Sequence, residues 1–240
     1  MIGVVYAQGT NCHEETIVAI KLAGGNAELA IIEDLAGRKG AFSKYSALVF
    51  PGGFSWGDHC GAGRIEAQVL IAQFGDELQD LVSKIPILGI CNGFQVLVEA
   101  GILPSGEIDK RRIALMQNTS ARFESRWVNL AFLSNECIFT NGLYGKVLRM
   151  PVAHGEGRLY ASDSNKKLFR PVCYYADNSG FPTMKYHENP NGSQDAIAGI
   201  CDKSGLTFGL MPHPERAVFA YQGSTDGLVI FKNLIHYCNS

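Results

Sequence analysis

Short apolar runs and helical patterns take turns through the first half of the chain, and few architectures accept that order. Ile2 to Tyr6, Leu29 to Ile32, Ala47 to Phe50 and Ile85 to Ile90 are apolar and short enough to be buried strands. Between them, Glu14 to Ala23 carries Ile17, Ile20 and Ala23 at helical spacing ahead of the Gly24-Gly25 stop, and a longer helical pattern extends from about Arg64 to Ser83. Buried strands joined through helices lie parallel in one sheet, because the crossover helix brings the chain back to the same edge. The expected class is therefore α/β, a mainly parallel central sheet with helices on both faces.

Beyond about residue 105 the pattern changes. Arg126 to Leu133, Lys146 to Val152, Pro171 to Ala176, Ile197 to Cys201 and Leu206 to Met211 are strand-like with few helices between them. The turn Asp202-Lys203-Ser204-Gly205 predicts that the last two pair as a hairpin, so additional antiparallel strands are expected in the second half. Gly227 to Tyr237 reads as a closing helix. No repeat or linker divides the chain, and residues 1–240 are expected to form a single domain.

Composition narrows the function. With 46% hydrophobic and 18% charged residues the chain can bury a substantial core. A formal charge of -2 offers no cationic field for a phosphate backbone, so no nucleic-acid partner is expected. No stretch reaches the roughly 18 apolar residues of a membrane span, and the opening MIGVVYAQG enters a strand-like run directly. No membrane contact and a cytoplasmic location are the expectations. The 7 cysteines are scattered without a CxxC pair, which suggests a reducing compartment and neither a disulfide framework nor a zinc site. No metal and no cofactor are expected in this chain, and it has no phosphate-cradling G-x-x-x-x-G-K-[ST] loop.

The fourth apolar run ends in Gly89-Ile90-Cys91-Asn92-Gly93. This has the spacing of the nucleophile elbow G-x-S-x-G, with sulfur in place of oxygen. Glycines two residues to either side let neighbouring segments approach, while the strained turn projects Cys91 from the carboxyl edge of the sheet. The amides of the following helical turn favour thiolate, the nucleophilic form. Buried cysteines are more often inert, so Cys91 needs a base to be read as reactive.

Met211-Pro212-His213-Pro214-Glu215 supplies one. A residue before proline is pushed into extended geometry, and in an extended segment residues two apart point the same way. His213 and Glu215 are thus expected to meet at Nδ1, leaving Nε2 for Cys91. A break at Pro51-Gly52-Gly53 ends another buried strand at the same edge. A glycine amide there could face an oxyanion, with the Asn92 amide as the second donor.

Together these residues resemble the class I, or triad-type, glutamine amidotransferases, which carry a PGG-type loop, a G-x-C-x-G elbow and an H-x-E pair in this order. The resemblance is closest to the glutaminase component of phosphoribosylformylglycinamidine synthase, through GTNCHEET at 9–16, PGGFSWGD at 51–58, GICNGFQVL at 89–97, VAHGEGRLY at 152–160, NPNGS at 190–194 and MPHPERA at 211–217. It implies a flavodoxin-like fold, glutamine as substrate, Cys91 as nucleophile, His213 as proton carrier and Glu215 as its support. By position it implies Gly53, with Gly52 as the alternative, and Asn92 as oxyanion donors, and Gln95 as a substrate ligand one turn past the nucleophile. It further implies a large synthetase subunit, which would carry ATP and Mg, and a small accessory subunit. The stretch NTSARFESRWVNL at 118–130 departs from the usual small subunit and is more like the glutaminase end of the fused single-chain synthases; a solvated strand is its expected form.

Other candidates carry less. Cys12-His13 is adjacent in sequence, and adjacent helical residues do not face each other, which argues against a second nucleophile. His154 and Glu156 lack an evident third metal ligand, and both are expected as substrate-side or interface residues near the glutamine pocket, with a simple turn as the alternative. His59-Cys60 and His187 have no comparable context. A cysteine-elbow hydrolase or chaperone-like protein of the same fold, or a pure binding module, would also carry the elbow, but neither requires the H-x-E pair.

Overall fold

The computed structural model describes residues 1–240. In chain order the elements are β1 (Ile2–Tyr6), α1 (His13–Leu22), β2 (Ala27–Ile31), α2 (Ile32–Leu35), β3 (Ala47–Phe50), α3 (Arg64–Leu81), β4 (Ile87–Ile90) and α4 (Asn92–Glu99). There follow β5 (Ala114–Gln117), β6 (Glu124–Phe132), β7 (Val147–His154), β8 (Glu156–Tyr160), α5 (Asp163–Lys166), β9 (Arg170–Ala176), β10 (Ile197–Cys201), β11 (Thr207–Leu210) and α6 (Leu228–Asn239). The expected strand and helix positions hold to within a few residues.

Nine strands form one sheet in the order β2-β1-β3-β4-β11-β10-β9-β6-β7. The pairs from β2 through β4 to β11 are parallel, and those from β11 outward are antiparallel. The expected hairpin is present: Asp202 to Gly205 joins antiparallel β10 and β11. Less foreseeable is that β11 completes the parallel half, with Thr207 to Leu210 in register against Ile87 to Ile90. That pairing delivers the segment after β11 beside the segment after β4.

Burial follows the strand types. β3 and β4 are buried at every residue, as parallel strands covered on both faces must be. Helix α1 packs with α6, and α3 with α4, giving the sheet its two helical layers. Close approach at the elbow depends on its glycines: a Cβ at Gly93 would stand 1.9 Å from the Phe50 carbonyl oxygen, and one at Gly89 2.6 Å from Leu97 Cδ1. No helix is long and apolar enough to cross a membrane.

Two features differ from expectation. β5 and β8 pair as a separate two-stranded antiparallel sheet, whose short and partly polar strands give a weak periodic signal. The stretch 118–130 is not a solvated strand: β6 lies between β9 and β7, and Asn118 and Glu124 are buried.

Candidate active site

Two strand-to-loop exits are laced together before either reaches the chemistry. The Phe54 amide donates to the Gly9 carbonyl at 3.0 Å, Trp56 to Gln8 at 2.7 Å and Cys12 to Gly52 at 3.1 Å. Gly9 adopts φ 93°, and a Cβ there would lie 2.1 Å from the Phe54 carbonyl oxygen, so only glycine permits this contact. GTNC and PGGFSW thus form one rigid rim.

Cys91 sits between β4 and α4 with φ 50° and ψ -102°, a left-handed conformation costly for a residue with a Cβ. Its amide donates to Leu210 at 2.8 Å, tying the elbow to β11. The residue is 4% exposed, and its sulfur lies 3.5 Å from the Ala153 carbonyl oxygen. His213, extended at φ -103°, is fixed by its amide to Pro151 at 2.8 Å. Its Nδ1 meets Glu215 Oε1 at 2.6 Å. The contact is the expected one, but its cause is partly different: Glu215 lies in a 3-10 turn over Pro214–Arg216 that folds the carboxylate back onto the ring.

Both partners are buried. Burial opposes a charged imidazole, yet the Glu215 carboxylate and the Cys91 sulfur beside the ring outweigh it and raise the His213 pKa well above the usual histidine value. The sulfur does not complete a hydrogen bond to Nε2, and His213 Nε2 and Glu215 Oε2 are left without protein partners. Catalytic hydrogen bonds are often unformed before substrate binds. The structure thus gathers Cys91, His213 and Glu215 at the carboxyl ends of β4 and β11.

Around the elbow, Asn92 is committed three ways. Its Oδ1 accepts from the Ser55 amide at 3.2 Å, and its Nδ2 donates to Asp58 Oδ1 at 3.2 Å and Gln95 Oε1 at 3.0 Å. Its own amide opens α4, where helical amides have no intrahelical acceptor. The Gly53 amide, on the facing rim, likewise donates to no protein group. Gln95 is buried with both ends engaged, since its Nε2 donates to the Glu156 carbonyl. It braces the turn after β7, and a direct grip on a ligand would require opening one of these bonds. Burial, then the nearby Glu156 carboxylate, pushes Asp58 up to about 6 against the Gly63 amide and Asn92.

His154 ends β7 fully enclosed, with neither ring nitrogen partnered. Burial, reinforced by the His213 charge, holds its pKa down to about 3. Its neighbours are positioned by motifs distant in sequence. Asn118 Nδ2 donates to the His154 carbonyl at 2.9 Å, and Asn191 Nδ2 donates to the Gly157 carbonyl at 2.8 Å and to Tyr175 at 3.0 Å. NPNGS is therefore a brace for the HGEG turn, a role visible only once β8 is placed.

Sequence reasoning set Cys12 aside, and the structure brings it in. Cys12 Sγ, a His213 ring nitrogen and a Glu215 carboxylate oxygen lie within 4.8 Å of one another. Arg216 Nη2 donates to Cys12 Sγ at 3.0 Å. His13 does point elsewhere, to the Thr10 carbonyl at 3.0 Å. A cavity of about 230 Å³, lined by Cys12, Gly53, Phe54, Phe123, Ala153 and His213 among others, opens beside this cluster.

Comparisons with known proteins point to one family. A family model described as a CobB/CobQ-like glutamine amidotransferase domain matches residues 1–238. The phosphoribosylformylglycinamidine synthase subunit PurQ of Pyrococcus furiosus is 43% identical over 240 residues, covering 99% of this chain and 98% of that protein. Its counterpart in Dehalococcoides mccartyi is 40% identical, covering 98% and 96%. Among solved structures, a chain of PurLQS from Thermotoga maritima superposes with a TM-score of 0.79 at 32% identity, covering 98% of this chain and 97% of that one. The glutaminase domain of Trypanosoma brucei CTPS, 14% identical with a TM-score of 0.58 and covering 99% and 93%, shares the fold.

Proposed function

We propose a function for this chain from the premise that it belongs to the CobB/CobQ-like glutamine amidotransferase domain family and is related along its whole length to the PurQ subunits. It is the glutaminase component of phosphoribosylformylglycinamidine synthase: it releases ammonia from glutamine for the amination of formylglycinamide ribonucleotide in purine biosynthesis. One observation carries the mechanistic reading. A strained cysteine at a strand-to-helix turn lies beside an imidazole that is itself held by a buried carboxylate.

In the proposed reaction, the Cys91 sulfur attacks the side-chain amide carbon of glutamine and the carbonyl oxygen takes up negative charge. The amides of Gly53 and Asn92 are the donors proposed for that oxyanion, each worth about 10²–10³ in rate. His213 gives its Nε2 proton to the departing nitrogen as the carbon–nitrogen bond breaks, so ammonia leaves and a thioester remains. Water then adds, His213 takes up the water's proton, and glutamate is released with the sulfur restored. Glu215 holds the ring in the required tautomer and stabilises its charged form. His154, a neutral donor and acceptor with no protein partner, is proposed to contact the glutamine, and Gln95 to support that pocket through the Glu156 carbonyl.

The ammonia is proposed to pass to a large synthetase subunit, with a small accessory subunit completing the assembly. ATP and Mg chemistry would reside on the synthetase. The test is synthesis by the reconstituted complex with either glutamine or ammonium as nitrogen donor. Cys91→Ala is expected to abolish the glutamine-driven reaction and spare the ammonium-driven one. Loss of both, or of neither, refutes the assignment.

A further inference from the structure

Cys12 has no part in the proposed reaction, yet it shares a buried pocket with two of its groups. Cys12 Sγ, His213 and Glu215 each place a ligand-type atom within 4.8 Å of the others, and all three residues are buried. Within that pocket His213 Nε2 and Glu215 Oε2 are buried and without hydrogen-bond partners. Sulfur, imidazole nitrogen and carboxylate oxygen are the donor set of a thiophilic divalent cation. Glu215 Oε1 now holds His213 Nδ1 at 2.6 Å, a hydrogen bond that opens when both groups turn to a shared ion.

We propose that Cys12, His213 and Glu215 form a binding site for zinc or a cation of the same class, which silences the enzyme by occupying the imidazole that Cys91 needs. The proposal rests on the glutaminase reading for its consequence but not for the binding itself. Ligand atoms around a tetrahedral zinc stand roughly 3.5 Å apart, so side-chain rotations of about an ångström would open the 2.6 Å His213–Glu215 contact and close the wider gaps. When the ion enters, a zinc–sulfur bond replaces the Cys12 sulfur–hydrogen bond, the His213 imidazolium gives up one ring proton to free a lone pair, and two protons leave to solvent. The Arg216 guanidinium now donates to that sulfur at 3.0 Å and must swing aside. It is partly exposed and already holds Glu15 through Nε at 3.3 Å, which gives it a second anchor.

The test is zinc titration of the full chain against a chelating indicator, without glutamine. The parent is expected to bind one ion. Cys12→Ser is expected to weaken that binding roughly tenfold or more, as loss of a metal-site group does. Arg216→Gln, which removes the competing cation, is expected to tighten it, and Cys91→Ala to keep the parent's affinity. Equal affinity in Cys12→Ser, weaker binding in Arg216→Gln, or loss in Cys91→Ala, which would place the ion on the Cys91–His213 pair, each overturns the proposal. Should Cys12→Ser fail to fold, the other two variants decide. A failed glutaminase reading would leave these titrations unaffected, whereas a failed metal site would leave glutamine cleavage intact.

Discussion

Cys91 keeps φ near 50° because the residues around it leave no relaxed alternative: its amide is held by Leu210, and Gly89 and Gly93 let α4 press onto β3 and β4. The elbow was legible in the sequence for this reason, since its spacing encodes a local steric requirement. The His213–Glu215 contact was legible too, although a 3-10 turn rather than an extended strand makes it. Cys12 was not, because its place beside His213 depends on β1, β3 and β11 ending at one edge. Gly52 exposes how tightly this edge is packed: an added Cβ would stand 2.7 Å from His213 Cε1 and 3.1 Å from Cys12 Sγ. Gly52→Ala is expected to displace the ring and lower glutaminase kcat about 10²-fold, within the range of losing general acid–base help, as steady-state kinetics would read. At His154 the sign of the pH effect follows from its environment. The unfolded ring takes up a proton below pH 6.5 and the folded one only near 3, so its share of stability is complete above pH 6.5 and declines as pH falls toward 3. Tm measured across that window should fall less steeply in His154→Gln; an unchanged slope would contradict the assignment.

Among the elements, the decisive one is β11, whose parallel pairing with β4 sets His213 opposite Cys91. A hairpin turn was readable at Asp202 to Gly205, but no local signal told that its second strand would join the parallel half. The turn between β7 and β8 shows the same limit. HGEG and NPNGS are far apart in sequence, and their joining through Asn191 to Gly157 and Tyr175 is a product of the fold. Asn191→Ala leaves the Tyr175 hydroxyl unpaired in a buried setting and the Gly157 carbonyl with only the Ser193 hydroxyl, and should cost about 1–3 kcal/mol in denaturant unfolding. Gly93→Ala tests the elbow at this scale. Its Cβ would collide with backbone at 1.9 Å, and destabilisation beyond about 4 kcal/mol is expected.

For the whole molecule, the buried carboxylate Glu66 on α3 couples stability to pH. Burial pushes it up to about 7, against the Ser55 hydroxyl and with help from Glu33 and Asp58. The folded chain therefore holds this proton at pH values where the unfolded chain has lost it. Its contribution is present below about pH 4.5 and disappears as pH rises through 7, so Glu66→Gln should be the more stable protein at pH 8, by roughly 3 kcal/mol, in chemical unfolding. The incomplete Cys91–His213 contact also belongs to this scale, because a partner pressing on the rim of GTNC and PGGFSW could close it. The isolated chain is expected to cleave glutamine slowly and to accelerate when the synthetase partners are added; full turnover by the chain alone would rule this out.

Two thiols, Cys91 and Cys12, flank the same imidazole, and only one of them is the proposed nucleophile. Reaction with an electrophilic glutamine analogue followed by peptide mass spectrometry separates them. The predicted result is one label, on Cys91, lost in His213→Ala and blocked by excess glutamine. A label on Cys12 or on any other cysteine would contradict the account.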